Sequence, residues 1–194
     1  MAYNIADLFE HTADLVGDRV ALICGDTTLT FAELDARANQ FAHHLQARGV
    51  QPGDHVGIYA VNSEPWVTAM LGSLKARAVP INVNYRYVEA ELSYLISNAD
   101  LVACVFDQEY APRLAAVIDE APALQTLVHI DDDSGADTSS LGSTSFEDAC
   151  SQSSPERLTT ERSGDDIYII YTGGTTGMPK GVMWRHEDIY FALG

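Results

Sequence analysis

A glycine- and threonine-rich stretch followed by a lysine is the part of the sequence best suited to chemistry. The stretch reads TGGTTG over residues 172–177, and Met178, Pro179 and Lys180 follow it. Glycines allow a tight loop that aims several backbone N–H groups at one anion, and threonine hydroxyls add donors. Lys180 supplies a positive charge for a phosphate, and Pro179 stiffens the backbone before it. The pattern indicates a phosphate-binding loop made by Thr172, Gly173, Gly174, Thr175, Thr176, Gly177 and Lys180.

This loop differs from the common P-loop, whose pattern is G-x-x-x-x-G-K-[ST]. Lys180 is preceded by Pro179 and followed by Gly181, so the sequence does not predict a P-loop GTPase or kinase fold. The alternative is that the stretch is only a flexible turn, and three glycines alone would favour that. A lysine at this spacing, after a buried strand, favours phosphate binding instead.

The composition is that of an acidic globular protein. The 194 residues carry a formal net charge of −17, which repels nucleic acid and anionic membranes. We therefore expect no nucleic-acid partner, and any phosphate site must be built locally against the overall field. The three cysteines are too widely spaced for a disulfide framework or a zinc site, and Cys24 and Cys104 are predicted to be reduced thiols in the core.

The sequence predicts a cytoplasmic protein. Its N-terminus has no basic start followed by an apolar stretch, so it does not resemble a signal peptide. No run reaches the roughly 18 apolar residues that a transmembrane segment needs.

Apolar runs alternate along the chain with stretches of helical periodicity. Asn4 is placed to cap a first helix, a hairpin follows over residues 20–30, and Thr30 and Glu33 form a capping box for a helix to about Arg48. Further strands are predicted over residues 55–61, 79–83, 101–106 and 126–130, and further helices over residues 63–76, 89–98 and 110–120. Because the strands are apolar along their whole length, we expect an α/β fold with a mostly parallel sheet flanked by helices.

The segment of about 131–154 differs from the rest. It is rich in Asp, Ser, Thr and Gly, and it is predicted to be an acidic, exposed connection within one domain. The next strand, residues 166–171, is predicted to extend the same sheet, and a helix is predicted to begin at Glu187.

Several other side chains invite a functional interpretation, and for each a structural role is the better prediction. His186 is expected to pack or cap a helix, one of His43 and His44 is expected on the surface, and Trp66 and Trp184 are expected to anchor the core. The acidic triplet 131–133 is expected to be a solvated loop and not a metal site. Tyr85 and Tyr87 are expected to pack in a turn.

Residues 171–182, YTGGTTGMPKGV, resemble the signature phosphate loop of the adenylate-forming superfamily, usually Y-T-S-G-T-T-G-x-P-K-G. The chain departs from this pattern at Gly173, where the family commonly has serine. Residues 29–39, 49–56 and 74–87 also resemble family segments in the correct order, although Arg77 stands where glycine is common. The chain looks most like bacterial fatty-acid or steroid-side-chain CoA ligases, and its fold is then an incomplete N-terminal domain of the adenylate-forming fold.

The resemblance implies a two-step reaction. A carboxylic acid attacks the α-phosphate of ATP to give an acyl-adenylate and pyrophosphate, and the thiol of coenzyme A then displaces AMP. The loop residues named above would hold the β- and γ-phosphates, and Thr172 would approach Mg²⁺. The partners implied are small molecules: a carboxylate, ATP and CoA. No catalytic residue is assigned.

Family members are more than twice as long as this chain. Residues 1–194 are therefore expected to be a partial N-terminal AMP-binding domain with the C-terminal domain absent or on a separate chain, and to be inactive alone. Two alternatives stay open: a fragment of a peptide-synthetase adenylation domain, and a non-catalytic remnant.

Overall fold

The computed structural model describes residues 3–173 and 178–193, which form alternating strands and helices. The helices are α1 (Ile5–Val16), α2 (Phe31–Ala47), α3 (Glu64–Lys75), α4 (Glu89–Asn98), α5 (Ala111–Ala115), α6 (Phe146–Ser151) and α7 (His186–Leu193). The strands are β1 (Val20–Cys24), β2 (Thr27–Thr30), β3 (His55–Tyr59), β4 (Val79–Asn82), β5 (Leu101–Asp107), β6 (Thr126–Ile130), β7 (Thr144–Ser145), β8 (Ile167–Thr172) and β9 (Lys180–Arg185).

The first three long helices begin at side-chain caps that the sequence predicts. Asn4 accepts a hydrogen bond from the Ala6 amide at 3.0 Å. Thr30 and Glu33 form the reciprocal capping box, and the Ser63 hydroxyl accepts from the Trp66 amide. Each cap satisfies an N–H group that has no partner within its helix, and the predicted starts are confirmed.

The centre of the fold is a five-stranded parallel sheet in the order β4-β3-β5-β6-β7. Residues Val56–Tyr59 of β3 and Ala103–Asp107 of β5 are almost completely buried, as expected for a sheet covered on both faces. Gly57 permits the tightest approach, because a Cβ at this position would lie 2.7 Å from a methyl carbon of Leu101. The prediction of an α/β fold with a parallel sheet between helices is confirmed.

Two apolar cores lie on opposite faces of this sheet. The first core joins side chains of the strands to those of α4 and α5, and it includes Phe106, Leu92, Leu95 and Leu114. The second core joins alternate strand residues to α2, α3 and α6, and it includes Val56, Val105, Phe41, Ala69 and Phe146.

A buried ionic cluster ties the irregular segment before β8 to the helices. The amino group of Lys75 is fully buried and pairs with Glu10 and Asp35. Arg162 donates to Glu10 and Asp7. Since a buried charge is stable only when it is paired and hydrogen-bonded, these pairs fix the path of the chain that leads into β8.

Helices α2 and α3 end in the same Schellman motif with different residues. After α2, Gly49 has φ +87°, and the amide of Val50 donates to the carbonyl of Leu45. After α3, Arg77 has φ +60°, and the amide of Ala78 donates to the carbonyl of Ser73. Glycine is the usual residue at this left-handed position, which explains why glycine suits the position of Arg77.

The structure corrects the expectations for the last third of the chain. Strand β8 is not part of the central sheet: it pairs only with β9, antiparallel, within the described residues. It instead packs against the first core through the side chain of Ile169. The predicted exposed connection contains β7, which is hydrogen-bonded to β6, and α6, whose Phe146 and Cys150 are buried. A run of polar residues hid β7.

Two core predictions are wrong. Cys24 is only half-buried, whereas Cys104 and Cys150 are buried. Trp184 keeps 43% of its surface exposed. Within the part of the chain that the structure describes, no helix combines the length and apolarity needed to cross a bilayer.

Candidate functional site

The β8–β9 hairpin brings the two ends of the predicted phosphate loop together. Thr172, the last residue of β8, lies directly opposite Lys180, the first residue of β9. The sequence predicts a cradle of backbone amides from Thr172 to Lys180, but both end residues belong to a regular ladder. These two residues therefore offer a ligand chiefly their side chains. Thr172 offers a hydroxyl group and Lys180 an ammonium group.

Lys180 is the exposed member of the two lysines in the sequence. Lys75 is fully buried in its ion pairs. Lys180 forms no ion pair with any other residue that the structure describes. In a chain of net charge −17, an unneutralised ammonium group beside a glycine-rich loop is suited to binding an anion.

Gly173 is exposed, and a Cβ at this position would meet no atom within 4 Å. The serine common in the family would therefore fit here without a clash. The prediction that the loop binds phosphate also names Gly174, Thr175, Thr176 and Gly177, which lie outside the described residues.

Helix α4 contacts the hairpin on both sides of the loop. The hydroxyl of Tyr171 donates to the Asn98 side-chain oxygen at 2.9 Å. The hydroxyl of Tyr94 donates to the carbonyl of Pro179 at 3.1 Å, and Pro179 is buried. Across the strands, Gly181 lies against the ring of Tyr171, with its Cβ position 3.1 Å from the ring.

The opposite end of the hairpin is fixed by Asp166, directly before β8. Its carboxylate accepts hydrogen bonds from Arg77, at 2.7 Å for the shortest contact, and from the side-chain amide of Asn4. Its backbone carbonyl accepts from the amide of His186. These contacts join the starts of α1 and α7 to the end of α3.

His186 has a structural position, as predicted. It is buried, and its Nδ1 accepts from the Ile5 amide at 3.3 Å. Burial lowers the pKa of His186, which favours the neutral ring that this acceptor role requires. His186 thus caps α1 rather than its own helix.

Other histidines and tyrosines singled out in the sequence differ in how far they are buried. His44 is buried and His43 half-buried, so neither is fully on the surface. Tyr85 and Tyr87 pack against the first core. Among the described residues, no group of three or more His, Cys, Asp or Glu side chains is arranged to hold a metal ion.

Sequence reasoning missed Tyr94, Asn98 and Asp166. The spacing of Tyr94 and Asn98 places them on one face of a helix, but nothing in the pattern says which segment that face meets. Arg77 did carry a signal, because a bulky residue stands where the resembling family has glycine.

An apolar face lies beside the loop on the hairpin. Ile170, Val182 and Trp184 are exposed large hydrophobic residues, and the strand register places them on one face of the hairpin. A groove of about 280 Å³ is lined by Tyr168, Ile170, Trp184, Ile189 and Ala192. The expected core role of Trp184 is replaced by this surface position.

The fold and the sequence define a class: an α/β protein with a glycine- and threonine-rich sequence between the two strands of a β-hairpin that packs beside a parallel sheet. The model of the family described as "AMP-binding enzyme" matches residues 9–194. The chain therefore belongs to the AMP-binding enzyme family.

CoA ligases are among the similar proteins. The chain is 55% identical to a medium/long-chain-fatty-acid–CoA/3-oxocholest-4-en-26-oate–CoA ligase of Mycobacterium marinum, over all of the chain and 36% of that relative. It is 52% identical to the 3-oxocholest-4-en-26-oate–CoA ligase of Rhodococcus rhodochrous, over all of the chain and 35% of that relative. The chain thus spans about a third of the length of these relatives.

Among solved structures, the anthranilate CoA ligase AuaEII in complex with anthranoyl-AMP is similar, with a TM-score of 0.88 and 26% identity. The match covers 98% of this chain and 36% of that one. Its extent shows that nearly every described element belongs to the shared fold.

Proposed function

We propose that this chain supplies the phosphate-binding part of an ATP-dependent acyl-CoA ligase. The complete protein would convert a carboxylic acid, of the fatty or steroid-derived class, into an acyl-adenylate and then into a CoA thioester. The observation that carries the proposal is the exposed ammonium group of Lys180 opposite Thr172, at the two ends of the family's signature loop.

The loop's role is to hold the terminal phosphates of ATP while the α-phosphate reacts. Charge develops on pyrophosphate as it leaves, and fixed donors stabilise that charge. Lys180 provides a full positive charge and Thr172 a hydroxyl. From the sequence, Gly173, Gly174, Thr175, Thr176 and Gly177 provide backbone and hydroxyl donors between them.

Magnesium fits this site as a companion of the nucleotide. Mg²⁺ prefers oxygen ligands and is commonly bound through substrate phosphates with one or two protein oxygens. Thr172 offers one exposed neutral oxygen. The described part of the chain contributes no cluster of three acidic, His or Cys groups near it. When bound, Mg²⁺ would neutralise charge on the phosphates, and the Thr172 hydroxyl is the group of this chain placed to approach it.

The partners proposed are therefore a small carboxylate, ATP, Mg²⁺ and CoA. The relatives are named for fatty-acid and 3-oxocholest-4-en-26-oate CoA ligation, which supports these acids as the substrate class. The three cysteines are free thiols, which is consistent with the reducing cytoplasm. We propose that residues 1–194 are one part of the N-terminal domain.

Two alternative functions differ from this proposal in where the adenylate goes and in whether nucleotide binds. In a peptide synthetase the adenylate would pass to a carrier domain, and the identity to CoA ligases favours CoA instead. A non-catalytic remnant would keep the fold and lack affinity for nucleotides.

The test is calorimetric titration of the chain with MgATP and with inorganic pyrophosphate. Lys180→Ala removes a charge-assisted contact worth about 1.5–3 kcal/mol, so affinity should fall about 10- to 100-fold. Arg185→Ala is the matched control, because it removes the same charge from the far end of β9, where Arg185 forms exposed ion pairs with Asp165, Glu187 and Asp188. Equal affinities for the unaltered chain and Lys180→Ala, or no affinity in either, would refute the proposal.

ATP–pyrophosphate exchange separates binding from turnover. We expect the isolated chain to bind phosphate and to show no exchange with fatty or steroid acids, because the chain spans about a third of its relatives. Robust exchange would contradict the expectation that the isolated chain binds phosphate without turnover.

A further inference from the structure

Helix α4 makes a specific contact with each side of the phosphate loop. Tyr94 and Asn98 are four residues apart, so they lie on one face of the helix. Asn98 accepts from Tyr171, the neighbour of Thr172, and Tyr94 donates to Pro179, the neighbour of Lys180. The same helix face therefore meets both strands beside the loop.

The two contacts differ in exposure. Asn98 is exposed and its bond to Tyr171 is accessible to water. Tyr94 is half-buried, and the carbonyl that accepts its hydroxyl belongs to the buried Pro179. A hydrogen bond shielded from water holds its partners more firmly than one that water can replace, so the Tyr94 contact is the stronger constraint.

The Tyr94 bond acts on the peptide unit that precedes the lysine. The Pro179 carbonyl and the Lys180 amide lie in one rigid plane, and the ring of Pro179 already restricts the backbone on its other side. Holding the carbonyl therefore restrains the position of the Lys180 Cα, and the pairing of Lys180 with Thr172 sets the direction in which its side chain leaves the strand.

We propose that Tyr94 is a positioning residue for the phosphate loop. It acts through the Pro179–Lys180 peptide and does not contact the ligand itself. This inference rests on the proposed function, because it assigns Tyr94 the task of aiming the ammonium group that binds phosphate.

A purely packing role for Tyr94 makes a different prediction. Its ring would then matter and its hydroxyl would not, so Tyr94→Phe would behave like the unaltered chain. Tyr59→Phe is a control, since Tyr59 also donates its hydroxyl to a backbone carbonyl, that of Tyr87, in the first core. The Tyr59 hydroxyl also accepts from Arg113, and neither hydrogen-bond partner belongs to the hairpin.

The first measurement is hydrogen exchange along β9. Tyr94→Phe should speed exchange about fivefold at the loop end, Lys180–Val182, because a hydrogen bond of typical net strength is lost. The base end, Met183–Arg185, should be unchanged, as should both ends in Tyr59→Phe. Unchanged exchange at the loop end in Tyr94→Phe would overturn the inference.

The second measurement is titration with inorganic pyrophosphate. Each variant loses a hydrogen bond of typical net strength, so each should melt about 2–4 °C lower, but Tyr94→Phe should also bind pyrophosphate about fivefold more weakly, whereas Tyr59→Phe should keep the affinity. An affinity unchanged in Tyr94→Phe would also overturn the inference. No binding by the unaltered chain would overturn the proposed function, and the exchange experiment would still decide whether Tyr94 holds the loop.

Discussion

Arg77 occupies a backbone conformation that favours glycine, and this leads to an unusual order of stabilities. At φ +60° a side chain costs about 1 kcal/mol relative to glycine. Arginine persists there because its guanidinium group holds Asp166 with contacts of 2.7, 3.1 and 3.2 Å and also donates to the carbonyl of Glu161. Replacing Arg77 therefore removes a favourable contact, and replacement by glycine also relieves the strain.

The magnitudes follow from exposure. The side chain of Arg77 is 28% exposed and that of Asp166 is 13% exposed, so the ion pair contributes about 1–2 kcal/mol, between surface and buried values. Arg77→Ala loses this contribution and keeps the strain, for a loss of about 1–2 kcal/mol. Arg77→Gly recovers about 1 kcal/mol of it, so its net loss should be roughly 0–1 kcal/mol.

Urea unfolding at constant pH measures this difference. With a slope of about 2 kcal/mol per molar urea, the midpoint of Arg77→Gly should lie about 0.5 M above that of Arg77→Ala. Gly49→Ala calibrates the backbone cost, because Gly49 has φ +87° in the same motif and a Cβ there would meet no atom within 4 Å. Its loss should match the difference between the two Arg77 variants.

The reasoning is refuted if Arg77→Gly is no more stable than Arg77→Ala. Glycine loses more conformational freedom on folding than alanine does, so equality would mean that the strain relieved at position 77 is no larger than this entropic cost of glycine.

Three further predictions concern packing and protonation. Gly181→Ala should lose about 1–3 kcal/mol of unfolding free energy, because its Cβ would lie 3.0 Å from a carbon of Ile169. An unchanged unfolding free energy would show that the strands can move apart to accept the methyl group. Gly173→Ser should change the free energy of unfolding by no more than about 0.5 kcal/mol and should not weaken pyrophosphate binding. A lower affinity would exclude a shared role with the family's serine. Burial lowers the pKa of His44 to about 4. Stability should therefore fall by about 2 kcal/mol between pH 8 and pH 5, as the unfolded chain takes up a proton that the folded chain excludes. Subtracting the pH dependence of the unfolding free energy of His44→Leu isolates the contribution of His44. It removes that of groups such as Asp107, whose pKa burial raises to about 6. An identical pH dependence in the two proteins would contradict the prediction.

Local signals predicted much of the fold. Caps such as Asn4 and the Thr30–Glu33 pair have short-range chemistry that can be recognised in the sequence, and both are present. Continuous apolar strands correctly indicated a sheet covered on two faces. The strand directly before the loop was also predicted, whereas β9, which begins at Lys180, was not.

The errors arise where long-range pairing decides the structure. Strand β8 is as apolar as the central strands, and its own sequence does not show that it pairs with β9 instead. The polar segment around Ser145 conceals a short strand whose stability comes from β6. The contacts of Tyr94 and Asp166 join segments 85 and 89 residues apart, so no local pattern could reveal them.

The distribution of lysines has a practical consequence. Because one of the two is sealed inside the protein, a mild acylating reagent should modify a single side-chain amine on the folded chain, the one beside the loop. Acylation would remove the charge that is proposed to bind phosphate, so nucleotide and reagent should compete for this amine, and its protection by nucleotide would be visible as a mass difference on the intact chain.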